Sequence, residues 1–248
     1  ALQTHQEQAW HSFLVQLAAM AVARGHDGDV PSSPEGWRNA LVSLAEGREE
    51  AWHLVVDHLS KPAFMQSPVP EGSLEDAKYK ADVPTPDQLD MLITSKNHDV
   101  KQQRITHPRP EHWVYALVTL QTMEGFLGRG NYGIVRMNGG FGNRPMVGLA
   151  TDLSWGRRFA RDLNVLRDER EKFVDRYKPH GHALLWIEDW DGAKSRAIPL
   201  EECDPYFIEI CRRIRFTLED GDIACWRANT SGQRVAAPDS LNGVTGDP

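Results

Sequence analysis

Apolar side chains recur at helical spacing through most of the first two-thirds of the chain. In the first such segment Trp10, Phe13 and Leu17 fall on one face, which predicts an amphipathic helix over residues 6–24. Ser33 followed by Pro34 is typical of the start of a second helix. The same spacing predicts helices over these further segments: residues 33–47, 48–60, 86–94, 110–126 and 152–176.

The pattern changes toward the C-terminus, where strands replace helices. Residues 183–187 form a short apolar run, and residues 206–218 alternate between apolar and polar positions. The dipeptide Asp220-Gly221 predicts a hairpin turn before a further strand over residues 222–228. We therefore expect an α+β protein with a mostly helical N-terminal two-thirds, a Gly-rich loop region and a small antiparallel sheet toward the C-terminus.

These elements are expected to form one domain over residues 1–248. Five prolines in residues 62–86 predict an irregular surface segment, and residues 95–109 form a polar, basic loop. The domain then has four consecutive parts: a helical part (1–61), an irregular segment with a basic loop (62–109), two helices flanking a Gly-rich loop (110–178) and a β-rich part (179–248).

The charge of the chain is unevenly distributed. The formal net charge is −7, yet residues 96–178 carry 15 Lys and Arg against 9 Asp and Glu. This basic middle fits either a phosphate-facing surface or arginines that pair with nearby acids on a solvated helix. Composition alone favours neither.

The cysteines and the apolar segments bear on the compartment. The three cysteines, Cys203, Cys211 and Cys225, form no Cys-x-x-Cys pair, as expected for a reduced, cytoplasmic protein. No apolar run approaches the roughly 20 residues of a membrane helix. We therefore expect no association with a membrane.

The common catalytic motifs are missing from the sequence. Gly128, Gly130 and Gly133 match the spacing of a dinucleotide fingerprint, but a predicted helix precedes them where that motif needs a strand. His180 and His182 could place two imidazoles together, although zinc needs about four ligands. We expect a non-catalytic protein without a cofactor, and a metal-dependent hydrolase or nuclease that uses these histidines is the alternative.

The most unusual stretch is residues 128–148, which hold seven glycines among 21 residues. Glycine lets the backbone approach a polyanion closely, arginine binds phosphates or bases in bidentate fashion, and asparagine can bond to base edges. The alternative is a set of tight turns with only a structural role, in a purely structural subunit of a ribonucleoprotein. The polar residues that accompany the glycines are Arg129, Asn131, Tyr132, Arg136, Asn138, Asn143 and Arg144.

This stretch resembles CasA, the large subunit of the type I-E Cascade CRISPR complex. Residues 128–133 resemble the family's first glycine-rich element, and residues 136–145 resemble its second, basic Gly-Gly-x-Pro element. Further elements follow the family order from residue 6 to residue 225: 63–66 (Ala-Phe-Met-Gln), 96–101, 162–166 (Asp-Leu-Asn-Val-Leu) and 205–210 (Pro-Tyr-Phe-Ile-Glu-Ile).

The resemblance implies a function. CasA proteins recognise the short PAM beside a target in double-stranded DNA, assemble with the crRNA-containing Cascade subunits and dock the helicase-nuclease effector. By motif position, the PAM-facing loop would comprise Gly128, Arg129, Gly130, Asn131 and Tyr132, followed by Arg136, Asn138 and Arg144 as phosphate or base contacts. The loop that reaches the RNA end or the DNA would comprise Lys96, Asn97, His98, Lys101 and Arg104.

The chain also departs from the family pattern. The family's first strand, its C-terminal four-helix bundle and its glutamine wedge have no counterpart, which implies a fragment or a shortened large subunit. No lysine follows Lys194, so Arg227 or Arg234 would replace the family's lysine finger. We therefore expect DNA recognition and do not expect duplex opening.

Overall fold

The computed structural model describes residues 2–25, 28–90, 105–135, 150, 152–173 and 175–237. These residues form the expected α+β fold, with the helices mostly in the N-terminal part and the antiparallel sheet toward the C-terminus. The α-helices among them are α1 (Glu7–Arg24), α2 (Pro34–Leu44), α3 (Pro110–Met123) and α4 (Trp155–Glu169). The strands are β1 (Lys80–Val83), β2 (His182–Leu184), β3 (Ile198–Pro199), β4 (Cys203–Ile208), β5 (Arg213–Glu219), β6 (Asp222–Ala228) and β7 (Val235–Ala236).

The helix starts follow from local sequence. The hydroxyl of Ser33 accepts a hydrogen bond from the backbone N–H of Gly36 at 3.1 Å, and Pro34 occupies the first helical position of α2. Pro110 opens α3 in the same way. Helix α1 lies at the centre of the domain, where it packs against the other three helices and β4. Its Phe13, Leu17 and Met20 belong to the main hydrophobic core, as predicted.

The predicted helix over residues 48–60 is wrong. Only a 3-10 turn, Glu49–Trp52, forms there. The carbonyl oxygen of Leu54 takes a hydrogen bond from the Gln66 side chain at 2.8 Å, and that of His58 takes one from Arg215 at 3.0 Å. These long-range donors replace the i+4 amides of a helix, so tertiary structure overrides the local pattern. The predicted helix over 86–94 is described only as far as a 3-10 turn, Pro86–Gln88, because residues 91–94 lie outside the described part.

The antiparallel sheet has the strand order β1-β6-β5. Strands β5 and β6 form the predicted hairpin, and Asp220 and Gly221 at its turn have φ values of 51° and 89°. Two positive φ angles match the twist of a two-residue hairpin turn. Strand β1 lies in the segment predicted to be irregular. Two parallel pairs, β2 with β4 and β3 with β7, complete the β structure of the described residues.

The single alternating strand predicted over residues 206–218 is two strands in different sheets. The chain leaves β4 after Ile208 and enters β5 at Arg213. In between, the amide oxygen of Gln121 accepts the backbone N–H groups of Cys211 and Arg212, both at 2.8 Å. The buried connection therefore has its backbone hydrogen bonds satisfied by a side chain from α3, which lets it cross between sheets.

No helix in the described part of the chain is both long and apolar enough to cross a membrane. All three cysteines are buried, and burial raises the pKa of the Cys211 thiol to about 12. The Cys211 thiol is therefore a poor nucleophile at neutral pH.

Candidate nucleic-acid interface

Residues 128–132, here called the glycine turn, follow α3. The backbone N–H of Asn131 donates to the carbonyl oxygen of Gly128 at 3.0 Å, and that of Leu127 donates to the carbonyl oxygen of Asn131 at 3.0 Å. Gly128 and Gly130 have φ values of 102° and 91°. Residues with a Cβ rarely adopt such angles, so the turn requires glycine at both positions.

The glycine turn is fixed to the segment that follows β6. The carbonyl oxygen of Gly130 accepts the backbone N–H of Thr230 at 3.0 Å, and the hydroxyl of Thr230 accepts the backbone N–H of Tyr132 at 3.3 Å. Just beyond the turn, a Cβ on Gly133 would lie 2.2 Å from the carbonyl carbon of Gly125. Close backbone packing therefore accounts for Gly133 without any ligand.

The buried Arg212 side chain holds the glycine turn in place. Arg212 donates to the carbonyl oxygen of Gly125 at 3.1 Å and to that of Tyr132, and its guanidinium lies 3.7 Å from the Glu124 carboxylate. These contacts tie the connection that leads into β5 to both ends of the loop. The turn is therefore held by backbone and side-chain bonds from two elements that are distant in sequence.

The exposed side chains of the turn are Arg129 and Asn131. Gly130 is buried, because Asn229 lies over it: a Cβ on Gly130 would be 3.1 Å from the Asn229 side-chain carbon Cγ. Tyr132 is half-buried and packs against Phe126, with ring centroids 5.4 Å apart. Of the five residues predicted to face a PAM, Arg129 and Asn131 are thus the ones whose side chains are exposed to solvent.

The other predicted contacts cannot be placed. They are Arg136, Asn138 and Arg144 of the second glycine-rich element, and Lys96, Asn97, His98, Lys101 and Arg104 of the basic loop. All lie outside the described residues.

A cleft of about 630 Å³ opens on one side of the glycine turn. Its lining includes Leu127 and Asn131 at the turn, Arg213 and Ile214 of β5, and Lys80 of β1. A second depression of about 500 Å³ borders the same turn. Its lining comprises Arg129, Gly130, Tyr132, Asn229, Thr230 and Ser231.

The charge of the larger cleft is mainly positive. Its two acidic lining residues are already paired: Asp82 with Arg227 at 2.6 Å, and Glu124 with Arg212. Lys78 and Lys80 are exposed and have no acidic group within 4.0 Å in the described part of the chain. Sequence reasoning missed these two lysines, because they belong to the proline-rich segment and only strand pairing brings them to the turn.

The two arginines considered for the lysine finger have different surroundings. Arg234 is 1% exposed and donates to the carbonyl oxygens of Leu185 and Arg196 at 3.0 and 3.1 Å, and burial lowers its pKa to about 10. This guanidinium organises backbone inside the protein and does not reach a ligand. Arg227 is exposed and paired with Asp82 on the rim of the cleft.

The histidines of the alternative metal site do not converge with other ligands. His182 lies 3.4 Å from the Glu188 carboxylate, and His180 occupies a turn with a φ of 61°. Within the described ranges, no group of three or more His, Cys, Asp or Glu side chains could hold a metal ion. No observation in this part of the molecule therefore favours the hydrolase alternative.

Comparison of the chain with protein-family models, curated proteins and solved structures found no match. The resemblance to CasA therefore rests on the sequence motifs alone. The exposed polar side chains of the glycine turn and the neighbouring basic cleft are the structural features that bear on function.

Proposed function

We propose that this chain is a non-catalytic large subunit of a CRISPR Cascade surveillance complex, which recognises the PAM of double-stranded target DNA with its glycine turn. Its partners are then the crRNA-containing subunits of the complex and, after target binding, the helicase-nuclease effector. One observation carries the proposal. The turn is fixed by hydrogen bonds to residues 230 and 212, yet it leaves the side chains of Arg129 and Asn131 exposed.

Those two side chains suit the chemistry of a DNA groove. The minor groove presents acceptors at every base pair and a donor only at G·C, so it distinguishes A·T from G·C and little more. An arginine donates to those acceptors, and an asparagine amide both donates and accepts. A fixed turn with two such groups can therefore read a short element while tolerating several variants of it.

The surroundings of the turn supply the complementary, sequence-independent attraction. Lys78, Lys80 and Arg213 lie along the cleft beside Asn131 and give it a net positive charge. Contacts to phosphates position a protein on DNA, and contacts to bases provide the specificity. The turn and the cleft together offer both kinds of contact on one face.

The proposal is tested by selection from a duplex library in which a short element beside a constant target is randomised. The unaltered chain, assembled with crRNA-containing subunits, should enrich a small set of elements. The double variant R129A/N131A should lose that enrichment and still assemble. The matched control is R38A/N39A, which removes an exposed Arg-Asn pair on α2 and should enrich the same elements as the unaltered chain. Equal enrichment by both variants would overturn the assignment of the turn.

A further inference from the structure

The cleft beside the glycine turn contains basic groups that enter the PAM-reading proposal only through their charge. Along the segment leading into β1, Ala77 and Tyr79 are buried, whereas Lys78 and Lys80 are exposed. The buried pair packs with Val69 and Leu74 in a small separate hydrophobic cluster. This packing fixes the direction of the alternating lysines, both of which line the cleft.

Lys78 has a backbone conformation that is unusual for its residue type. Its φ is 62°, in the left-handed region where glycine and asparagine are favoured. A lysine there is strained relative to a residue with a negative φ. The fold therefore keeps a positive charge on the rim of the cleft at a position where an uncharged asparagine would be less strained.

Arg213 provides the independent observation that points to a ligand. This arginine of β5 lines the cleft and is only 7% exposed. Its guanidinium stacks over the ring of Tyr79 at 4.8 Å, yet Nε and Nη2 are buried without a hydrogen-bond partner. The nearest carboxylate, that of the partly exposed Glu71, lies 3.9 Å from Nη2, beyond hydrogen-bond distance.

A guanidinium held this way favours a particular class of ligand. Buried donors that make no hydrogen bond destabilise the fold, and an entering acceptor removes that cost. An arginine with two free N–H groups on neighbouring nitrogens matches the bidentate geometry of a phosphate, and two lysines nearby add point charges. Since Asp82 and Glu124 are already neutralised by Arg227 and Arg212, the field left in the cleft attracts an anion and repels a metal cation.

We propose that this cleft binds phosphates of a nucleic-acid backbone, with Lys78, Lys80 and Arg213 as the contacting residues. The proposal rests on the DNA-reading role of the glycine turn and extends it. Asn131 belongs to both features, so a strand whose bases face the turn runs its phosphates along the cleft. The cleft then contributes affinity without sequence preference, and the turn contributes preference.

The test uses the double variant K78N/K80Q. Asn accepts the left-handed conformation at position 78, so this variant should unfold at the same temperature as the unaltered chain or slightly above it. The matched control is K172Q/K178Q, which removes the same charge at two exposed lysines that are paired with Glu169 and Glu202 away from the cleft. Equilibrium binding to duplexes with and without the preferred element is measured over a range of salt concentrations.

Each phosphate contact that is lost should lower the salt dependence by about one in the slope of log K against log salt. K78N/K80Q should therefore reduce the slope by about two and weaken binding about tenfold or more at 0.1 M salt, equally for both duplexes. The control should keep the slope of the unaltered chain. An unchanged slope in K78N/K80Q, or an equal reduction in the control, would overturn the proposal.

The outcome separates this proposal from the proposed function. If the unaltered chain binds duplexes without any sequence preference but K78N/K80Q lowers the slope, the PAM-reading role fails and the phosphate cleft stands. If preference is lost in R129A/N131A while K78N/K80Q leaves the slope unchanged, the PAM-reading role stands and the phosphate cleft fails. Inorganic phosphate is the second probe: amide shifts around Arg213 with millimolar phosphate, combined with an unchanged duplex slope, would assign the cleft to free phosphate and overturn the backbone proposal.

Discussion

The backbone N–H of Thr230 donates a 3.0 Å hydrogen bond to the carbonyl oxygen of Gly130, which joins two segments 100 residues apart in the chain. The bond fixes the glycine turn to the residues that follow the β5–β6 hairpin. Because Asn229 covers Gly130, the turn has little room to adjust without moving the hairpin end. The backbone positions of Arg129 and Asn131 are thereby fixed, which is a requirement for a site that makes specific contacts.

Replacing Gly130 by alanine should lower stability more than replacing Gly128. Both residues have positive φ angles, so each substitution costs about 1 kcal/mol in backbone strain. A Cβ at Gly130 would also approach Asn229 to 3.1 Å, whereas a Cβ at Gly128 would meet no atom within 4 Å. Urea unfolding of G130A and G128A provides the measurement. An equal loss in the free energy of unfolding of the two variants would show that contact with Asn229 adds nothing to the effect at Gly130.

Gln121 is expected to be a major determinant of stability. Its amide nitrogen donates to the carbonyl oxygens of Met65 and Arg212 at 3.0 and 2.9 Å, and its oxygen accepts the N–H groups of Cys211 and Arg212. Gln121→Leu would leave four buried backbone groups unsatisfied, which should cost about 3 kcal/mol or more.

Denaturant unfolding checks this expectation, with Gln16→Leu at a half-buried position of α1 as the control. The control should change the free energy of unfolding by less than about 1 kcal/mol. A loss in Gln121→Leu no larger than that of the control would mean that the connection between β4 and β5 finds other partners.

The pair formed by His5 and Asp90 predicts a pH-dependent stability. His5 Nε2 lies 2.9 Å from the buried Asp90 carboxylate, and this hydrogen bond raises the pKa of His5 above its ordinary 6.5. Since the pKa is raised on folding, the stabilisation is fully present below pH 6.5 and is lost as the pH rises through the folded-state value.

Thermal unfolding from about pH 5 to pH 8 should therefore separate the unaltered chain from His5→Gln on the acid side and bring the two together on the alkaline side. His53→Gln, at another histidine in the helical part, controls for loss of an imidazole. A difference between His5→Gln and the unaltered chain that stays constant over this range would contradict the role of the ion pair.

Features of the fold that depend on a few neighbouring residues could be predicted from the sequence. The N-cap at Ser33, the proline starts of α2 and α3 and the Asp220-Gly221 turn were all predicted, because each depends on a few neighbouring residues. The glycine requirement at residues 128 and 130 is of the same kind. The choice of Arg129 and Asn131 as candidate contacts also came from the sequence, and the structure places both at the surface.

The sequence by itself thus determined the α+β class, the positions of the main helices and hairpin, and the residues of the glycine turn. Tertiary structure alone decided that residues 53–60 are not helical, that the strand predicted over 206–218 divides between two sheets, and that Lys78 and Lys80 lie beside the turn. The physical reason is that periodicity reports which side of a segment is buried, whereas the partners that satisfy its backbone come from distant segments. Arg215, Gln66 and Gln121 are such partners, and no local sequence pattern predicts that role.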